Sequence, residues 1–104
     1  MPYDMRHARE DLIADVWLYS TAQGGKSQSI FSGWGCPCKT TLKPEEPAWD
    51  GWPILGNVEL RPGETGRFGW MFLSGDLAAS AIKQSGKFYL WEGRIIGEAV
   101  IVTQ

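Results

Sequence analysis

Histidine and cysteine are scarce: the chain has one of the first and two of the second in 104 residues. The sole histidine, His7, precedes the first apolar pattern, so hydrolytic chemistry that sets an imidazole base beside a nucleophile has little to draw on. Two cysteines cannot staple a secreted mini-domain. A chain of this length buries roughly two-thirds of its unfolded surface and has a core without them. No apolar run reaches the roughly 18 residues of a membrane helix, and no basic-then-apolar leader opens the chain, so a cytoplasmic location is expected. Neither sign of charge dominates. Ten basic residues face twelve acidic ones, net −2, and the basic ones are dispersed, so the broad footprint that neutralises many phosphates is missing.

What the chain does have is six tryptophans and thirteen glycines. Each tryptophan must be buried or presented to something. Residues 1–10 carry no apolar period and read as a flexible N-terminal arm, and residues 11–104 read as a single domain. The initial Met predicts a complete product rather than an excised domain.

Ile13 to Ser20 alternates, with Ala14, Val16 and Leu18 on one face and Asp15, Trp17 and Tyr19 on the other, the period of a half-buried strand. Gly24-Gly25 then allows positive φ for a reversal, and Ile30-Phe31 offers an apolar grip before Gly33. Cys38 to Leu42 reads as a short strand whose start or edge is set by Pro37. Lys43 to Pro53 reads as an irregular surface loop and Ile54 to Leu60 as a weak strand. Arg61-Pro62-Gly63-Glu64 has type II turn chemistry, after which Thr65 to Leu73 turns Gly66, Phe68, Trp70 and Phe72 inward.

Asp76 to Gln84 places Leu77, Ala78, Ala81 and Ile82 at helical spacing behind a Ser74 or Asp76 cap, predicting one or two turns that seal a barrel end. Lys87 to Trp91 and Arg94 to Thr103 form a hairpin across Glu92-Gly93, with the second strand apolar on both faces and central. Many short strands with Gly and Pro turns predict an all-β fold: an antiparallel closed β-barrel of about six strands.

Gly24-Gly25-Lys26 with Ile30-Phe31-Ser32-Gly33-Trp34, Arg61-Pro62-Gly63-Glu64, Gly86-Lys87-Phe88, Glu92-Gly93-Arg94 and Ile96-Gly97 occur in one order. Together they resemble the C-terminal β-barrel domain of translation elongation factor Tu, over about Ile13 to Thr103. The resemblance implies that barrel fold, no catalysis, and contacts with tRNA, a nucleotide-exchange factor or a GTP-binding domain. Lys26, Glu92 and Gly93 occupy positions that such contacts use. Yet Gly33-Trp34-Gly35-Cys36-Pro37-Cys38 lacks the family's Arg and Gln, Trp91 stands where the family has Arg, and Ser27 where it has His. Losing those groups removes phosphate contacts that position RNA.

Three local motifs remain. Gly25-Lys26-Ser27 ends like a phosphate-binding loop, but Ser20 stands where that pattern needs Gly and no parallel βα unit follows. Cys36-Pro37-Cys38 puts two thiols on one strand face, half of a zinc site with no evident second half; no metal or cofactor is expected. Trp49-Asp50-Gly51-Trp52 reads either as exposed anchors for a partner or as a lid over the barrel mouth. A pairing of Asp50 with Glu92 as catalytic carboxylates has nothing to support it, and an enzyme is not expected.

The functional expectation is therefore a non-catalytic binding module. Protein partners come first, including one that engages it as a mimic of the elongation factor's barrel, through Lys26, Trp34, Trp49, Trp52, Trp91, Glu92, Gly93 and Arg94. An RNA-binding accessory module using Lys26, Lys39, Arg94 and the Trp91 face is the alternative, and a Cys36/Cys38 metal or redox protein the third.

Overall fold

The computed structural model describes residues 9–43 and 45–102, and most of the expected N-terminal arm, with His7, lies outside them. Six antiparallel strands, β1 (Leu12–Leu18), β2 (Cys36–Lys39), β3 (Ala48–Ile54), β4 (Thr65–Phe72), β5 (Lys87–Trp91) and β6 (Ile95–Ile101), close a barrel in the order β1-β4-β3-β2-β5-β6. The expected closed antiparallel β-barrel is present. β2, β3 and β4 form a meander, and β1 returns beside β4, a Greek-key arrangement. Closure leaves every strand with two neighbours and no open edge.

The alternation read from β1 is the one observed. Ala14, Val16 and Leu18 are fully buried, while Asp15 and Trp17 face out. β4 likewise turns Trp70 and Phe72 inward, where they meet Phe88 of β5 in a cluster of rings whose centroids lie 5.0–6.1 Å apart. Such aromatic burial dominates a core of this size. The Trp70 indole N–H has no acceptor among the described residues.

α1 (Asp76–Ser85) runs from the end of β4 to the start of β5 and buries Ala78, Ala79 and Ile82. It is longer than the one or two turns expected. Its N-cap is Gly75, not Ser74 or Asp76, and no side chain caps it. Leu77 is exposed while Ala79 is buried, because the helix axis sits rotated relative to the stripe that Leu77 and Ala81 would define.

The larger correction is at residues 43–60. The expected irregular loop from Lys43 to Pro53 holds all of β3 but its last residue, and of the strand expected over Ile54 to Leu60 only Ile54, the end of β3, is in a strand; the rest is a turn ending in a single bridge from Leu60 to Ile30. One proline and one glycine inside it, with Pro47 just ahead, disguise β3. The register shows how they are tolerated: β2 pairs with β3 only from Lys39↔Ala48 to Cys36↔Gly51, so Pro53 lies beyond that ladder and opposes Trp70 of β4. β2 itself begins two residues earlier than expected and takes Pro37 inside it. Ile30 is buried as expected of an apolar grip, whereas Phe31 is exposed.

β6 lies between β1 and β5, but its outer face is not buried: Val100 is exposed. A register shift at Leu90/Trp91 lets Ile96 and Gly97 both turn inward.

Candidate partner-binding face

Two of the motif blocks meet at the barrel end opposite α1. Arg94 reaches back from the β5–β6 turn and donates from Nε to the Gly24 carbonyl at 2.7 Å and from Nη2 to the Gly25 carbonyl at 2.9 Å. Glu92 accepts the Trp34 indole N–H at 3.0 Å and lies 3.7 Å from Lys26 Nζ, which in turn sits 5.7 Å from the Trp34 ring centroid. Lys26, Trp34, Glu92 and Arg94, with Gly93 supplying the turn, are thus one network. Its polar groups satisfy one another, so the network acts as a latch that ties the loop after β1 and the loop before β2 to the β5–β6 turn.

The backbone explains why glycine is needed here. Ser20 caps a 3₁₀ turn at Thr21–Gln23, accepting from the Gln23 N–H, and Gly24 ends that turn with φ 93°. The positive φ expected of the Gly24-Gly25 pair is taken by Gly24 alone; Gly25 is not among the residues with positive φ. A Cβ at Gly25 would fall on the Tyr19 carbonyl. Close approach therefore excludes a side chain there.

The remaining tryptophans are placed differently. Trp49 pairs with Cys38 and packs on the core from β3, while its strand neighbour Trp52 pairs with Met71 and is half-buried. Trp52 lies where a Cβ at Gly35 would strike its indole. Trp91, 39% exposed, joins Lys39, Leu42 and Ile95 around a cleft of about 210 Å³.

A surface that the sequence reading did not single out lies on the outside of β1, β6 and β5. The register aligns Trp17 with Glu98, Glu98 with Tyr89, and Tyr89 with Lys39 in one row across four strands. Trp17, 38% exposed, meets Tyr19 edge-on at 4.8 Å. Tyr19 Oη donates to Glu98 Oε2 at 2.7 Å, Glu98 also lies 3.6 Å from Lys87 Nζ, and Lys87 sits 4.8 Å from the Tyr89 ring centroid. Burial, and then the Glu98 carboxylate, push the Tyr19 phenol up to about 12. The period of β1 already put Trp17 and Tyr19 on the non-core face; what it could not show was which residues of β5 and β6 stand beside them.

Cys36 and Cys38 are both buried, with Cys38 Sγ 3.5 Å from the Cys36 carbonyl. Burial pushes the Cys38 thiol well up, with Cys36 and the Asp50 carboxylate adding to it. Among the described residues no three His, Cys, Asp or Glu side chains gather as metal ligands, and no helix is long and apolar enough to cross a membrane. No protein-family model matches the chain, and no curated protein matches it.

Proposed function

We propose that the chain is a cytoplasmic, non-catalytic binding module, a stand-alone barrel of the elongation factor Tu C-terminal type, that docks a protein partner on the outer β1–β6–β5 face. The observation that carries this is the cluster of Trp17, Tyr19 and Tyr89 around Glu98: Tyr19 meets Trp17 edge-on and donates to Glu98, and Lys87 lies against both Glu98 and the Tyr89 ring. Rigid, half-exposed aromatic rings lose little conformational entropy when covered and are enriched among residues that dominate binding energy. The meeting of Gly24-Gly25-Lys26 with Glu92-Gly93-Arg94 supports the family resemblance, since the two blocks act together rather than as separate coincidences.

The RNA alternative draws less support. Lys26 pairs with Glu92 and Arg94 donates to two backbone carbonyls. Each would have to leave an internal contact to reach a phosphate, and Lys39 alone, recessed among Leu42, Trp91 and Ile95, is not the row of exposed cations that tracks a nucleic-acid backbone.

Affinity capture of the tagged protein from its host lysate, at low and high salt, tests the reading. The expected result is a protein retained at high salt and lost with Trp17→Ala, a truncation of a size that typically costs binding about 2 kcal/mol or more at such positions. RNA that is captured at low salt and released as salt rises, with no retained protein, would overturn it.

A further inference from the structure

We infer that the cleft beside this face receives the C-terminal residue of a partner polypeptide, its apolar side chain against Leu42, Trp91 and Ile95 and its terminal carboxylate on Lys39. The inference rests on the protein-partner reading above and specifies the part of the partner that is recognised.

Lys39 is the reason for an anion. It is 8% exposed, the one charged residue buried among those described. Its ammonium donates to the Glu46 carbonyl at 3.1 Å, which leaves two of the three N–H donors without a protein acceptor among the described residues. Lys26, Arg67 and Lys87 each have a carboxylate within 4 Å, whereas Lys39 has none among those residues. A buried cation without a counter-charge is costly, and a carboxylate delivered by a ligand would offset part of that cost through charge-assisted hydrogen bonds to the free N–H donors.

The other walls are the reason for an apolar group. Leu42 is exposed, Trp91 is half-exposed and Ile95 is partly buried, so their surfaces are available to cover a side chain. The volume of about 210 Å³ is below the roughly 300–1,000 Å³ of sites that enclose a drug-sized ligand. That size fits a single side chain with its carboxylate rather than a cofactor.

Position favours a chain end over a free acid. Lys39 is the direct register partner of Tyr89, which belongs to the aromatic row. Residues preceding the terminal one would therefore lie along Tyr89 toward Trp17.

Three probes test this on the full chain, followed by tryptophan fluorescence and by backbone amide shifts. They are a six-residue Gly/Ser peptide ending in Leu with a free carboxylate, the same peptide ending in an amide, and N-acetyl-leucine. The acid peptide is expected to shift Lys39, Leu42, Trp91 and Ile95 and to bind about tenfold or more tighter than the amide, as loss of a charged hydrogen-bond partner predicts. Lys39→Met should erase that preference. Leu42→Glu, at an exposed position that leaves the core untouched, should abolish acid-peptide binding even if the lysine variant fails to fold.

Equal binding of acid and amide, shifts confined to other surfaces, no binding at all, or binding of N-acetyl-leucine without the acid peptide would each overturn the inference. Capture of a protein partner that is lost with Trp17→Ala but survives Leu42→Glu would overturn the cleft alone and leave the docking face standing.

Discussion

Trp34 donates its indole N–H to Glu92 at 3.0 Å, joining residues 58 apart in sequence. The bond lies at the surface, and the same carboxylate holds Lys26 at 3.7 Å. Glu92→Ala removes both contacts, returning the Trp34 N–H to water but leaving the Lys26 side chain, only 13% exposed, without its carboxylate, so the expected loss is about 1–2 kcal/mol. Trp34→Phe should lose a similar amount by deleting the N–H while keeping a ring. In urea unfolding, the two losses combined in one variant should be less than additive, since each deletes the same bond. Full additivity would show that the latch contributes nothing as a pair.

The strands that alternate cleanly were legible in the sequence because burial imposes period 2 on them: Ala14, Val16 and Leu18 in β1, Trp70 and Phe72 in β4. β3 was not legible. Its pattern of Ala48, Trp49, Asp50, Gly51, Trp52 and Pro53 is read as loop by any residue preference, and only its place between β2 and β4 makes it a strand. The latch was legible as separate motifs but not as one site, since nothing local says that Arg94 reaches Gly24 and Gly25. The aromatic row was half legible. Period 2 turned Trp17 and Tyr19 outward, but their neighbours Glu98 and Tyr89 come from the pairing of strands distant in sequence.

Tyr19 makes the aromatic face sensitive to alkaline pH. Its folded-state value of about 12 exceeds the ordinary 10.0, first because the phenol is partly buried and then because Glu98 accepts its proton in a hydrogen bond. The folded state keeps that proton where the unfolded state releases it. The contribution is therefore fully present below pH 10 and is lost as pH rises toward and through 12. Tyrosinate absorbance should show Tyr19 titrating late, and the fall of stability over that window should be shallower in Tyr19→Phe. A phenol that titrates near 10 in the folded protein would mean that the Glu98 bond is not held.

The two thiols should be inert while the protein is folded. Both are buried, and the Cys38 thiol is held well above its ordinary range by burial, which leaves little thiolate at pH 8. An aromatic disulfide reagent at that pH should find no fast-reacting thiol in the native state and two after denaturation. One thiol that reacts rapidly in the folded protein would revive the metal or redox reading of Cys36-Pro37-Cys38.

Adjacent glycines at the latch should respond in opposite ways to the same replacements. Gly24 has φ 93° and open space around its Cβ position, so its constraint is conformational. Gly24→Ala should cost about 1 kcal/mol, and Gly24→Asn less, because Asn tolerates the left-handed region better. Gly25 is constrained by contact: a Cβ there would collide with the Tyr19 carbonyl and lie 2.8 Å from the Ser20 carbonyl. Both obstacles are backbone, and moving them disturbs the Gly25 N–H bond to Ser20 at 2.9 Å and the Arg94 bond to the Gly25 carbonyl. Gly25→Ala should therefore cost about 3 kcal/mol, the upper end of typical overpacking losses, and Gly25→Asn no less. Equilibrium unfolding of the four variants separates the two causes. Recovery by Asn at position 25 would show that its backbone, not its packing, sets the requirement for glycine.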